Sequence, residues 1–154
     1  MKAVKRRSEC PISYSLDFFG DKWSLLILRD IIFYNRRRYS DFAPHEHIAS
    51  NILADRLEKL EAAGFISKSP DPVHGKQFVY EATEKGMCLL PILTELMLWG
   101  FESDPQSLVS KEFLARCKAD KQTVVEEMSR AIKDKKFSMY RTEQMGISAD
   151  KVGA

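Results

Sequence analysis

The sequence predicts a mainly α-helical fold with one small β-hairpin, and three observations point that way. Most apolar residues recur at helical spacing, a central segment changes to strand-like composition around a Pro- and Gly-containing loop, and helical spacing then resumes. With 154 residues, 44% hydrophobic and 30% charged, the chain matches one soluble globular domain, or one domain with an appendage. No run approaches the ~18 apolar residues of a membrane span. The basic start, Met1 to Arg7, has no signal-peptide core behind it, so the expected compartment is the cytoplasm, with no membrane partner. Cys10, Cys88 and Cys117 are odd in number and widely spaced, which fits reduced thiols rather than a disulfide framework or a zinc ribbon.

The elements follow in order. Residues 1–9 form a basic arm with Lys2, Lys5, Arg6 and Arg7. Cys10-Pro11 leads into a short helix marked by Ile12, Leu16 and Phe19 and stopped at Gly20. Asp21 then caps a second helix, mostly apolar through Trp23, Leu26, Ile27 and Ile31, which is expected to be buried on most sides. Asn35 and the run Arg36-Arg37-Arg38 break it. Tyr39-Ser40-Asp41-Phe42 reads as a short helix capped near Ser40 and stopped by Pro44. From Ala49 to Ala63, Leu53, Leu57 and Leu60 recur at i, i+4 and i+7, with Gly64 as the stop; Asn51, Asp55 and Glu58 lie on the opposite face, flanked by Ser50 and Ala54. Phe65–Ser69 and Phe78–Glu81 read as strands joined by a turn-rich loop holding His74 and Lys76. Thr83 opens a long helix ending at Gly100, with Pro91 either kinking it or marking its true first turn. Residues 102–136, with Phe113, Leu114, Val124, Val125, Met128 and Ile132, read as a helical extension of one or two amphipathic helices, and 137–154 as a flexible tail.

Helix, helix, short helix, leucine-striped helix and hairpin is the order of a winged helix-turn-helix domain, in which one helix enters the major groove of duplex DNA and the hairpin loop touches DNA nearby. The striped helix suits that task, because small residues at its N-terminal end allow close approach to phosphates and base edges. The net charge of +2 announces no nucleic-acid partner by itself, and only the places where basic residues cluster point to one. A protein-interaction module using the same fold is the main rival.

The sequence also resembles the HxlR-type regulators. The matching residues are Cys10-Pro11, Gly20-Asp21-Lys22-Trp23-Ser24 through Arg29, Arg38-Tyr39-Ser40-Asp41-Phe42, Ile48 through Glu61 with Gly64, Tyr80, Thr83-Glu84-Lys85-Gly86, and Leu90-Pro91 through Trp99-Gly100. They run in family order over roughly residues 8–101, and residues 10–101 are taken as the winged domain. The resemblance implies a transcription factor without enzymatic activity or cofactor, a homodimer held by the first helix and the long helix after the wing, and an inverted-repeat operator. The striped helix carries fewer basic residues than the family pattern. Base contacts are therefore expected from Ser50 and Asn51 and phosphate contacts from Arg36, Arg37, Arg38, His74 and Lys76, with Tyr39, Ser40, Ala54 and Asp55 completing the expected DNA-binding residues.

Other residues invite sharper readings. Some members of the family resemble this chain in carrying a thiol at the position of Cys10 that senses oxidants or electrophiles; packing at a subunit boundary is the simpler reading and weighs more. Cys88 and Cys117 read as small core residues. Trp23 and Trp99 read as core or interface anchors. Met87, Met97, Trp99 and Phe101 could line a pocket for a small-molecule effector, although a simple core explains them equally well. His45, His47 and His74 lack metal-ligand spacing, and no metal is expected.

Overall fold

The computed structural model describes residues 8–104, 106–107 and 109–134, and only the backbone of residues 43–46. Lys2, Lys5, Arg6, Arg7 and the expected tail lie outside the described residues. Seven helices and one antiparallel hairpin are described: α1 (Pro11–Phe19), α2 (Ser24–Tyr34), α3 (Tyr39–Glu46), α4 (Ser50–Ala62), β1 (Ile66–Pro70), β2 (Phe78–Ala82), α5 (Glu84–Met87), α6 (Leu90–Ser103) and α7 (Lys111–Lys133). They divide into two compact units, one of residues up to 32 and 36–87, the other of 33–35 and from 88 onward.

In the first unit, local chemistry fixes each boundary. Asp21 Oδ1 accepts from the backbone N–H of Trp23 (2.8 Å) and Ser24 (3.0 Å), which starts α2. Asn35, at φ 53°, turns the chain out of α2 in the left-handed region that Asn tolerates better than most residues. The start of α3 differs from expectation. Its cap is not Ser40: the Asp41 carboxylate reaches back to accept from the N–H of Arg37 (3.1 Å) and Arg38 (2.8 Å), which leaves Ser40 exposed in the first turn. Pro44 does not stop α3 either. Proline forfeits its own hydrogen bond but its φ suits a helix, and the chain leaves the helix only at His47, with φ 51°.

The α4 stripe buries Leu53, Leu57 and Leu60 as the spacing requires. Gly64, at φ 76°, reverses the chain behind it. Among the described residues, Ile27, Leu28, Ile31, Ile32, Phe42, Ile48, Phe65, Ile66 and Tyr80 are the other buried apolar residues of this unit. The hairpin pairs Ile66 with Ala82, Lys68 with Tyr80 and Pro70 with Phe78. A third, one-residue strand, unforeseen in the sequence, lies along it: Arg38 bridges Val79, and Tyr80 N–H donates to the Arg37 carbonyl at 2.8 Å.

The helix expected from Thr83 to Gly100 is two helices. Pro91 stands in the first turn of α6, where a missing N–H costs nothing, so α5 ends before it; α6 then continues past Gly100 to Ser103. In the second unit α6 buries Leu90, Leu93 and Thr94, and α7 buries Phe113, Leu114, Cys117, Val124 and Met128. The helical run of α7 is interrupted at Asp120 (φ −155°, ψ 87°), whose carboxylate accepts from Thr123 N–H (3.0 Å) and Oγ (2.7 Å) and so caps the second half. Hydrogen bonds from Thr123 hold the Asp120 carboxyl below its ordinary pKa. Burial pushes the Cys117 thiol up, as suits a core residue. Cys88, expected in the core, is instead exposed in the turn between α5 and α6.

Candidate nucleic-acid interface

Ser50, Asn51, Ala54 and Glu58 are exposed on α4, opposite the buried leucines, and Asp55 is half-buried. Ala49 at the N-cap has no side chain able to accept, so no side chain caps the N–H groups of the first turn. A helix end of this kind favours an approaching phosphate. Asp55 is engaged along the helix, with Lys59 Nζ at 2.9 Å and Arg56 at 3.1 Å. Arg56 also lies 3.3 Å from Asp21, which ties α4 to the cap of α2. Burial opposes ionisation of Asp21, but the Ser24 hydroxyl, the Trp23 and Ser24 amides and Arg56 outweigh it, so its pKa lies below the ordinary value.

The arginine run behaves differently from the phosphate-binding cluster the sequence suggested. Arg36, 8% exposed, pairs with the buried Asp30 at 2.7 Å and also donates its backbone N–H to the Asp30 carbonyl. Removing one partner of such a buried pair typically costs about 3–5 kcal/mol, which marks Arg36 as part of the scaffold rather than of an exposed binding surface. Arg37 pairs with Glu81 on β2. Arg38 Nε donates to Asp71 Oδ2 at 2.6 Å, at the start of the hairpin loop. The three consecutive cations thus go to α2, to a hairpin strand and to the hairpin loop.

Asp71 is the organiser the sequence reading missed. Its Oδ1 accepts from the N–H of Val73 (2.8 Å) and His74 (3.1 Å), and its own N–H donates to the Gln77 carbonyl at 2.9 Å. The Arg38 hydrogen bond and those amides lower its carboxyl pKa to about 2. The Pro-Asp-Pro sequence was a fair sign of an Asx turn. Nothing in it signalled a partner 33 positions away. The turn presents His74 and Lys76 exposed, together with Val73. Lys68 on β1 lies 4.4 Å from the Phe78 ring, a cation–π contact.

Tyr39, the other site residue of α3, donates its hydroxyl to the Ser50 carbonyl at 2.5 Å, linking α3 to the first turn of α4. Cys10 is exposed at the N-cap of α1. Among the described residues no group of three His, Cys, Asp or Glu could hold a metal ion, and no helix is long and apolar enough to cross a membrane. The side chain of His45 is outside the described residues.

Comparison with known proteins agrees with this geometry. The family model described as HxlR-like helix-turn-helix matches residues 18–107. The chain is 30% identical over 101 residues to BH0655, an uncharacterized HTH-type transcriptional regulator of Halalkalibacterium halodurans, an alignment covering 65% of this chain and 89% of the relative. Among solved structures, the redox regulator HypR in its oxidized form is similar with a TM-score of 0.55 and 27% identity, covering 64% of this chain and 100% of HypR. The reduced transcriptional regulator YodB of B. subtilis gives a TM-score of 0.50 and 25% identity over 60% of this chain and 92% of YodB. BH0655 and YodB are described as transcriptional regulators and HypR as a redox regulator. With more than half of its length matched and the hairpin and helices in place, this chain belongs to the HxlR-like helix-turn-helix family and is a DNA-binding transcriptional regulator of the winged-helix type.

Proposed function

We propose that the chain acts as a homodimer that reads an inverted-repeat operator, with α4 in the major groove and the hairpin loop as the wing. The observation that carries this reading is the N-terminal end of α4: Ser50, Asn51 and Ala54 are exposed, no side chain caps the first turn, and three buried leucines anchor the opposite face. Ser50 and Asn51 supply base contacts, and Ser40, His74 and Lys76 reach the backbone. Arg37 and Arg38 stay near that surface as structural partners of Glu81 and Asp71.

Dimerisation is supported by apolar surface that is costly to leave in water. Ile12, Tyr14 and Leu16 are exposed on α1, and no residue of α1 is buried. On α6, Ile92, Leu96 and Trp99 follow one another at i, i+4 and i+7, with Trp99 69% exposed. Cys10, exposed at the N-cap of α1, is read first as a packing residue at the subunit boundary; a second reading, favoured by the likeness to the redox regulator HypR, makes its thiol the point of oxidant or electrophile input. Diamide treatment should then alter DNA binding by the wild type and not by Cys10→Ser.

Selection of duplexes from a random pool with purified protein tests the reading. Recovery of an inverted repeat fixes function and symmetry together, whereas recovery without any common motif contradicts sequence-specific binding.

A further inference from the structure

The two elements that meet DNA in this reading are held by two adjacent residues. Arg38 reaches the wing loop through Asp71, and Tyr39 reaches the first turn of α4 through the Ser50 carbonyl. Both ends of the first link are themselves fixed. Arg38 donates its backbone N–H to Asp41 at 2.8 Å and bridges Val79. The Asp71 side chain is 1% exposed and accepts from two loop amides. Gln77 N–H closes the loop onto the His74 carbonyl at 2.7 Å. An ion pair between two immobilised groups loses little side-chain entropy on forming, unlike an ordinary surface pair.

We propose that Arg38 and Tyr39 are positioning residues: Arg38 sets the pose of the wing through Asp71, Tyr39 sets the first turn of α4, and together they fix the spacing between wing and major-groove contacts. The proposal rests on DNA binding through α4 and the wing, and it replaces a direct phosphate contact by Arg38. The two roles give opposite signs for one substitution. If Arg38 served phosphate, neutralising Asp71 would release it and remove a repelling charge, and binding would tighten. With Arg38 as a strut, neutralising Asp71 loosens the wing and binding weakens.

Asp71→Asn keeps an oxygen for the Val73 and His74 amides but can turn only an NH2 group toward Arg38. The experiment measures operator binding against salt, with hydroxyl-radical footprints, for Asp71→Asn, Arg38→Gln, their combination, Arg38→Lys and Tyr39→Phe. Asp71→Asn and Arg38→Gln should each weaken binding by about tenfold, and the pair by no more than either alone. The salt slope should stay unchanged and the protection due to the wing should fade while that due to α4 persists. Arg38→Lys, which keeps a cationic donor, should recover most of the affinity, and Tyr39→Phe should weaken binding without changing the slope.

Equal or tighter binding by Asp71→Asn, or a slope lowered by about one phosphate in Arg38→Gln, would overturn the proposal. Amide exchange on the free protein supplies an arm independent of DNA. Val73 and His74 should exchange about tenfold faster in Arg38→Gln, while the α4 amides stay protected, which separates a loosened wing from an unfolded chain. Unchanged exchange overturns the strut. Failure of the wild type to bind any duplex would instead overturn the DNA-binding reading and leave the exchange result to decide the strut.

Discussion

Asn51 stands in the first turn of α4 with its side chain exposed, and an Asn on a major-groove face can pair bidentately with adenine. Asn51→Ala should reduce discrimination between operator and random DNA by about 1–3 kcal/mol, read as the ratio of the two affinities, with little change for random DNA. Asp71 carries a prediction about pH. Its folded pKa of about 2 lies below the ordinary 3.8, so its ion pair contributes stability that is complete above the ordinary value and fades as pH falls through about 2. In urea titrations the stability gap between wild type and Asp71→Asn should be constant above about pH 5 and shrink toward about pH 2. A gap that widened on acidification would contradict the Arg38 pairing. Single residues were the least legible scale in the sequence. The arginine run was visible, but charge alone did not show that Asp30, Glu81 and Asp71 would claim all three cations, since Glu81 and Asp71 stand 44 and 33 positions from their partners.

Elements were far more legible, because burial enforces periodicity. The Leu53, Leu57, Leu60 stripe and Gly64 marked α4 nearly to the residue, and the change of spacing after Phe65 marked the hairpin. Failures came where a side chain acts on backbone several residues away, as Asp41 does in capping α3, or where proline was read as an absolute stop. The one-residue strand at Arg38 had no pattern to reveal it. One joint is set by a glycine. Gly86 in α5 lies so close to the Phe65 carbonyl that a Cβ would stand 2.1 Å from that oxygen, while Thr83 Oγ accepts from Gly86 N–H and donates to the Gly64 carbonyl at 2.6 Å. Lys85 also donates to the Ala63 carbonyl at 2.7 Å, next to the end of α4, where a cation complements the helix dipole. Gly86→Ala should therefore destabilise the protein by about 1–3 kcal/mol, seen as a lower urea midpoint with unchanged slope, because the backbone neighbour cannot yield as a flexible side chain could. An unchanged midpoint would show that the α5 joint is slack.

At the scale of the whole molecule, apolar faces on α1 and α6 remain exposed in one chain although each helix has the spacing of a packed element. In the proposed homodimer such faces are where a second chain would pack, and a two-fold pair on an inverted repeat reads half-sites about one helical turn apart. The modest net charge of +2, with all three arginines of the run in intramolecular ion pairs, fits the proposed reading, in which base contacts and not bulk attraction distinguish an operator. The most direct measurement is binding of a selected inverted-repeat duplex and a shuffled one across a salt series, with the mass of the complex determined alongside. Two protomers should bind each repeat, affinity should fall with salt at a log–log slope of about −0.9 for each phosphate engaged, and preference for the repeat should survive at high salt and be lost in Asn51→Ala. One protomer per duplex, or equal affinity for the repeat and its shuffled form at every salt concentration, would contradict the proposed function.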